Sequence, residues 1–186
     1  ASLKTEWTEV IMEKQKNIIH LSKVPLEPMK APEGSPFGGV RQRVGAAIGA
    51  KKLGYSFFTV PPGKAAFPFH LHHTNEEMIY ILEGEATLRL GKEELAVSSG
   101  TFIACPPGQD YPHQLINSSK KELRYLVVST MEYPDISEYP DSQKIGAYVT
   151  SAAAGGFRAL YKKETNVPYF EGESGSEIER IKKSSR

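Results

Sequence analysis

The chain has 186 residues, of which 39% are hydrophobic, 24% charged and 10% aromatic; this is the make-up of one folded domain with extensions and enough apolar side chains to bury a core. Its 23 Lys and Arg balance 22 Asp and Glu to a formal net charge of +1, mixed along the chain, which argues against the clustered basic footprint of a nucleic-acid surface. No run approaches the roughly twenty apolar residues of a membrane span, the opening ASLKTEWTEV lacks the apolar core of a secretory signal, and a single cysteine, Cys105, cannot form an intramolecular disulfide, so a cytoplasmic protein is expected.

In chain order, residues 17–21 (NIIHL) read as a short strand in which His20 is structural or exposed. Residues 22–39 are so rich in proline and glycine that they predict an irregular arm wrapped over another part of the molecule. The glycines and basic residues of 41–54 lack the Gly-Lys-Ser/Thr ending of a phosphate loop; Arg41 and Arg43 alternate so that both reach one side, able to grip a carboxylate. LGYSFFTV (53–60) has the aromatic and β-branched content of a strand. Further strands are predicted at 77–82, 86–90, 93–97, 101–104, 113–117 and 123–130, punctuated by Gly, Pro and polar turns.

After Met131 the pattern changes. Residues 132–146 read as a loop bearing proline and tyrosine, 147–164 show no clear period, VPYFEGE (167–173) reads as an aromatic segment that docks on a barrel, and 174–186 as a polar tail. The expected organisation is therefore an N-terminal strand and arm over 1–50, an all-β core over 51–132 and a C-terminal extension over 133–186. Short strands at this spacing indicate an all-β sandwich or barrel. Along the strand from Glu77, both alternating sets are apolar, with Ile79 and Ile81 on one face and Met78, Tyr80 and Leu82 on the other. A sheet wet on one side would alternate with polar residues, so the outer face is expected to be covered by the arm or by a second subunit, and a homodimer is predicted.

The stretch from Gly63 to Gly84 carries the chemistry. In an extended strand His70 and His72 point the same way, and two neighbouring imidazoles suit a divalent metal. Glu77 joins them if the chain returns antiparallel after the polar turn at Thr74-Asn75; His73 and Glu76 fall on the opposite parity, although Glu76 satisfies a looser spacing. A second stretch, from Gly100 through Pro106-Pro107-Gly108 to His113 and Asn117, offers a fourth ligand. Cys105, in the apolar run TFIAC, reads as a buried and inert thiol.

Together these stretches resemble the two motifs of the cupin superfamily, in its small single-domain form. Gly63, His70, His72, Glu77 and Gly84 match the first motif, and Gly100, Pro106, Gly108, His113 and Asn117 match the second. Two intervals are longer than the motif: six residues separate Gly63 from His70, and four separate Gly108 from His113. The resemblance extends over about residues 53–130. It implies a double-stranded β-helix, a jelly-roll barrel, with His70, His72, Glu77 and His113 as ligands of one metal ion.

Three imidazoles and a carboxylate without thiolate suit Fe, Mn, Ni, Cu or Zn, and an ion that prefers six ligands keeps two positions open. Cysteine-rich structural zinc sites are closed by contrast. Phe67, Phe69 and the aromatic strand from Tyr55 to Phe58 are candidates for an apolar pocket wall. Gln109 and Tyr111, on the loop that delivers His113, are the candidate catalytic side chains. Cupin relatives include dioxygenases, decarboxylases and isomerases, so the resemblance implies a metal-dependent enzyme acting on a small molecule, of dioxygenase type first; the alternative is a non-catalytic cupin that binds a sugar-like ligand.

Overall fold

The computed structural model describes residues 16–150 and 155–184. Thirteen strands lie in three sheets among the described residues. The largest has the order β1 (Glu27–Pro28), β2 (Val40–Gln42), β3 (Leu53–Val60), β10 (Leu123–Thr130), β5 (Glu77–Glu83), β8 (Phe102–Cys105). Facing it is a three-stranded sheet of β7 (Glu93–Ser98), β6 (Glu85–Leu90) and β9 (His113–Ile116). The third sheet runs β13 (Arg158–Lys162), β12 (Lys144–Tyr148), β11 (Asp135–Tyr139), β4 (Leu71–His72). The chain thus folds as the expected all-β jelly roll, a double-stranded β-helix.

Strand register converts the alternation in the sequence into layers. Across β3, β10 and β5 the inward residues align as Phe58, Tyr125 and Ile81, then Ser56, Val127 and Ile79, then Gly54, Ser129 and Glu77. One end of the barrel is therefore apolar and the other polar. The apolar end carries the core, where Phe58, Val60, Ile81 and Leu123 pack against Ala86, Leu88 and Leu115 of the facing sheet. Ile81 and Leu123 are fully buried, and each such side chain contributes about 1.5–3 kcal/mol. Most of the barrel's stability thus resides away from the polar end.

Two motif residues serve the fold. Gly84 joins β5 to β6 at φ +94°, and a Cβ there would lie 2.7 Å from the Glu122 carbonyl oxygen, so only glycine allows the turn. Asn117 is fully buried; its amide donates to the carbonyls of Val60 and Lys121, both at 2.8 Å, and its oxygen accepts from the Ser119 N–H and hydroxyl. This side chain closes the turn between β9 and β10.

Several expectations are corrected. Residues 17–20 form no strand; Leu21–Lys23 is a 3-10 turn, with His20 Nδ1 accepting from the Ser22 N–H at 3.3 Å. The arm is partly regular, since β1 and β2 extend the large sheet beyond β3 and Met29 packs on the core. Arg41 and Arg43 do converge on a carboxylate, but it is Glu27 of the same arm, at 3.2 Å and 3.1 Å. The supposed loop after Met131 contains β11 and β12, because Pro134 and Pro140 flank a five-residue strand without interrupting it. VPYFEGE does not dock: Tyr169 is 88% exposed and Phe170 77%, and the two rings pack on each other instead. The tail beyond includes an exposed helix, Ser176–Ser184.

Candidate metal centre

His70 precedes β4, His72 ends it, Glu77 opens β5 and His113 opens β9. Reciprocal backbone hydrogen bonds between His70 and His113, at 3.1 Å and 2.7 Å, bring the two motifs side by side and set their rings 4.6 Å apart. Glu77 turns its carboxylate toward these rings, while Glu76 is exposed and pairs through its backbone with Thr130. His73 points away to Glu138, which also receives Lys163.

The ligand atoms of His70, Glu77 and His113 all lie within 4.8 Å of one another. Glu77 Oε2 is 3.1 Å from His113 Nε2 and 4.0 Å from His70 Nε2, and its Oε1 is 3.9 Å from His72 Nε2. Bonds of about 2.1 Å place two ligand atoms about 3.0 Å apart when at right angles and about 4.2 Å apart when opposite. The three separations fall inside that window. His72 stands at the rim, outside the mutually close set of three.

The remaining ring nitrogens are all engaged. Nδ1 of His70 meets the Pro68 carbonyl at 2.9 Å, Nδ1 of His113 the Tyr111 carbonyl at 3.1 Å, and Nδ1 of His72 the Asp135 carboxylate at 2.6 Å and the Ser137 hydroxyl at 3.1 Å. An imidazole whose Nδ1 carries the proton offers a lone pair at Nε2. All three Nε2 atoms then face Glu77. This donor set fits a divalent ion.

Electrostatics support the arrangement. Burial pushes Glu77 up, but His113, His72 and His70 outweigh it and hold the carboxyl below its ordinary range. Burial, reinforced by the neighbouring His113, brings His70 down to about 4, so it is neutral and ready to ligate. Burial acts downward on His113 too, yet hydrogen bonds with Cys105 and Glu77 prevail and raise it to about 10. Asp135 is pushed up by burial and pulled below its usual range chiefly by His72.

Asp135 and Ser137 were invisible as site residues in the sequence. They lie on the inward face of β11, which pairs with β4 so that Ser137 opposes His72. The only signal was the alternation Asp135, Ser137, Tyr139 in a stretch bounded by prolines. Tyr139 completes this face by stacking near the His70 ring, with centroids 6.1 Å apart and planes at 18°.

Beside the cluster lies a small, partly open cleft walled by Phe67, Ile79, Leu115, Tyr125 and Val127 and including Gln114. Phe67 thus lines it as expected, whereas Phe69 is buried beneath the Arg89 guanidinium. Gln109 and Tyr111 are exposed, Tyr111 by 41%, on the loop that precedes His113. That loop is anchored on the histidine strand by the Gly108 N–H, which donates to the His72 carbonyl at 2.8 Å. Cys105 is buried opposite Glu77 in the β5–β8 pair.

A family model of the cupin domain matches residues 56–129. An uncharacterized protein of Methanocaldococcus jannaschii is 33% identical over 97 residues, which are 52% of this chain and 66% of that relative. A provisionally assigned sugar phosphate isomerase from Acidithiobacillus ferrooxidans superposes with a TM-score of 0.72 at 22% identity, over 84% of this chain and 97% of its own. The polyketide cyclase RemF from Streptomyces resistomycificus superposes with a TM-score of 0.53 at 27% identity, over 63% of this chain and 82% of its own. No helix among the described residues is long and apolar enough to cross a membrane. With both histidine motifs on adjoining strands of a jelly roll and the family model matched across them, residues 56–129 form a cupin domain.

Proposed function

We propose that the protein holds one divalent metal through His70, His72, Glu77 and His113 and is an enzyme acting on a small oxygen-bearing molecule. The observation that carries this reading is the convergence of three Nε2 atoms on the Glu77 carboxylate at the edge of an apolar cleft. A bound Fe, Mn, Ni, Cu or Zn would supply Lewis-acid polarisation of a substrate oxygen or, for iron, access to dioxygen. The protein's part is to fix the ligand side chains through Pro68, Tyr111 and Asp135, and to shield the bound molecule from water with Phe67, Ile79, Leu115 and Val127.

The isomerase and the cyclase act by different reactions, so resemblance alone does not choose among dioxygenase, isomerase and decarboxylase chemistry. Metal analysis of protein purified without chelator or nickel resin, followed by oxygen-uptake screening, separates the classes. Bound metal with substrate-dependent turnover supports the enzyme, with oxygen consumption marking the dioxygenase. Bound zinc with ligand binding and no turnover supports the non-catalytic alternative.

Gln109 and Tyr111 belong in this reading as side chains at the mouth, because Gly108 ties their loop to His72. Gln109→Ala and Tyr111→Phe are expected to change ligand affinity or turnover by about 10–100-fold while metal content stays at the wild-type level. Values within about twofold of wild type for both variants would reduce the loop to a connector.

The large sheet supports a homodimer. Its outer face aligns Phe57, Leu126, Tyr80 and Phe102 in one row across four strands, with Phe102 69% exposed and stacked on Tyr80 at 4.3 Å. A second copy covering this row removes an apolar surface that monomers seldom leave open. Light scattering at micromolar concentration is expected to give twice the chain mass for wild type and the chain mass for Tyr80→Glu/Phe102→Glu. A monomeric wild type would contradict the pairing.

A further inference from the structure

Tyr125 stands on the inner face of β10, stacked on Phe58 with ring centroids 5.3 Å apart, and lines the cleft with Glu77 and His113. The residue is only 2% exposed, yet its hydroxyl bonds to no group of the described chain. The other polar groups of the cleft wall are accounted for. Gln114 donates to the Phe67 carbonyl and accepts from Arg89, both at 2.9 Å, while Nδ1 of His70 and of His113 meet backbone carbonyls. Apart from the metal-binding set, where Glu77 and His113 bond each other at 3.1 Å, the wall presents one phenol to the cleft.

Among the described residues the buried side-chain polar atom left without a partner is Arg41 Nε, so the Tyr125 hydroxyl is not sealed off but opens on the cleft that its ring lines. This hydroxyl is therefore free to bond a molecule in the cleft. Burial, with the Glu77 carboxylate nearby, raises the phenol well above its ordinary range, so it is always a donor. No Lys or Arg lines the cleft among the described residues, so it offers an anion one hydrogen bond and a metal in place of a cationic cage.

We propose that the Tyr125 hydroxyl is the donor that recognises one oxygen of a small hydroxy acid or hydroxy-carbonyl compound whose other oxygen is held at the His70–Glu77–His113 cluster. The proposal rests on the metal-centre reading above and adds to it the chemical class of the ligand and the residue that selects it. Tyr125 then distinguishes molecules with two oxygen functions from equally good metal ligands that have no second oxygen.

The test uses the full chain loaded with Co(II), whose visible bands report on the coordination sphere, titrated with glycolate and separately with imidazole. Tyr125→Phe is expected to keep Co(II) affinity and imidazole affinity within about twofold of wild type and to weaken glycolate by about 10–100-fold. Unchanged glycolate affinity, or equal weakening of glycolate and imidazole, overturns the role of Tyr125 and leaves the metal centre standing. A wild type that takes up Co(II) but ignores glycolate overturns the ligand class in the same way. Failure of wild type to bind Co(II) at all overturns the metal centre, and this inference with it.

Discussion

His70→Ala/His72→Ala is expected to lose divalent metal altogether while remaining folded. The double variant leaves Glu77 and His113, two donors that also satisfy each other at 3.1 Å, and two ligands do not hold a first-row ion against water. The fold survives because the core around Ile81 and Leu123 lies at the other end of the barrel. A graded comparison comes from Asp135→Ala, which keeps all four donors but frees the His72 ring; metal affinity should fall about 10–100-fold. Isothermal titration with Zn(II) or Co(II), together with circular dichroism, measures both. Unchanged metal affinity in the double variant, with native circular dichroism, would place the metal elsewhere.

Metal affinity should also rise steeply with pH. In the metal-free protein the proton of the cluster sits between His113 and Glu77, with His113 raised from its ordinary 6.5 to about 10. Metal must displace that proton, so between about pH 6.5 and 10 each unit of pH strengthens binding by up to about tenfold. The same proton stabilises the metal-free fold, a contribution complete below about pH 6.5 and lost as pH rises through 10. His70 acts oppositely: its folded value near 4 makes its neutral state a cost that grows as pH falls from 6.5 toward 4. Titrations in buffers of different ionisation enthalpy count the released proton directly. An affinity that stays flat across this range would mean that His113 is neutral before the metal arrives.

The barrel was legible because its strands are rich in β-branched and aromatic residues and are punctuated by glycine, proline and polar turns. Leu53–Val60 and Leu123–Thr130 emerge as strands at the expected residues, and Glu83-Gly84-Glu85 and Gly91-Lys92 turn where glycine must. Parity also put Glu77, and not Glu76, toward His70 and His72. What the sequence concealed was β11, and the reason is physical: its inward positions, Asp135, Ser137 and Tyr139, are polar because they support histidines, so the strand lacks the apolar alternation by which strands are recognised. The aromatic pair Tyr169 and Phe170 misled in the other direction, since aromatic content alone does not specify a docking surface. Tyr125 falls in the strand expected at 123–130, and only the register shows that it sits in the layer between Phe58 and Ile81 and lines the cleft together with Glu77.

The most direct measurement of the central claim is anomalous X-ray diffraction from crystals of metal-loaded protein, recorded at the absorption edge of the bound ion. One strong peak is expected about 2.0–2.3 Å from the Nε2 atoms of His70, His72 and His113 and from a carboxylate oxygen of Glu77. A peak at another group of side chains, or these four side chains lying more than about 5 Å from the ion, would contradict it.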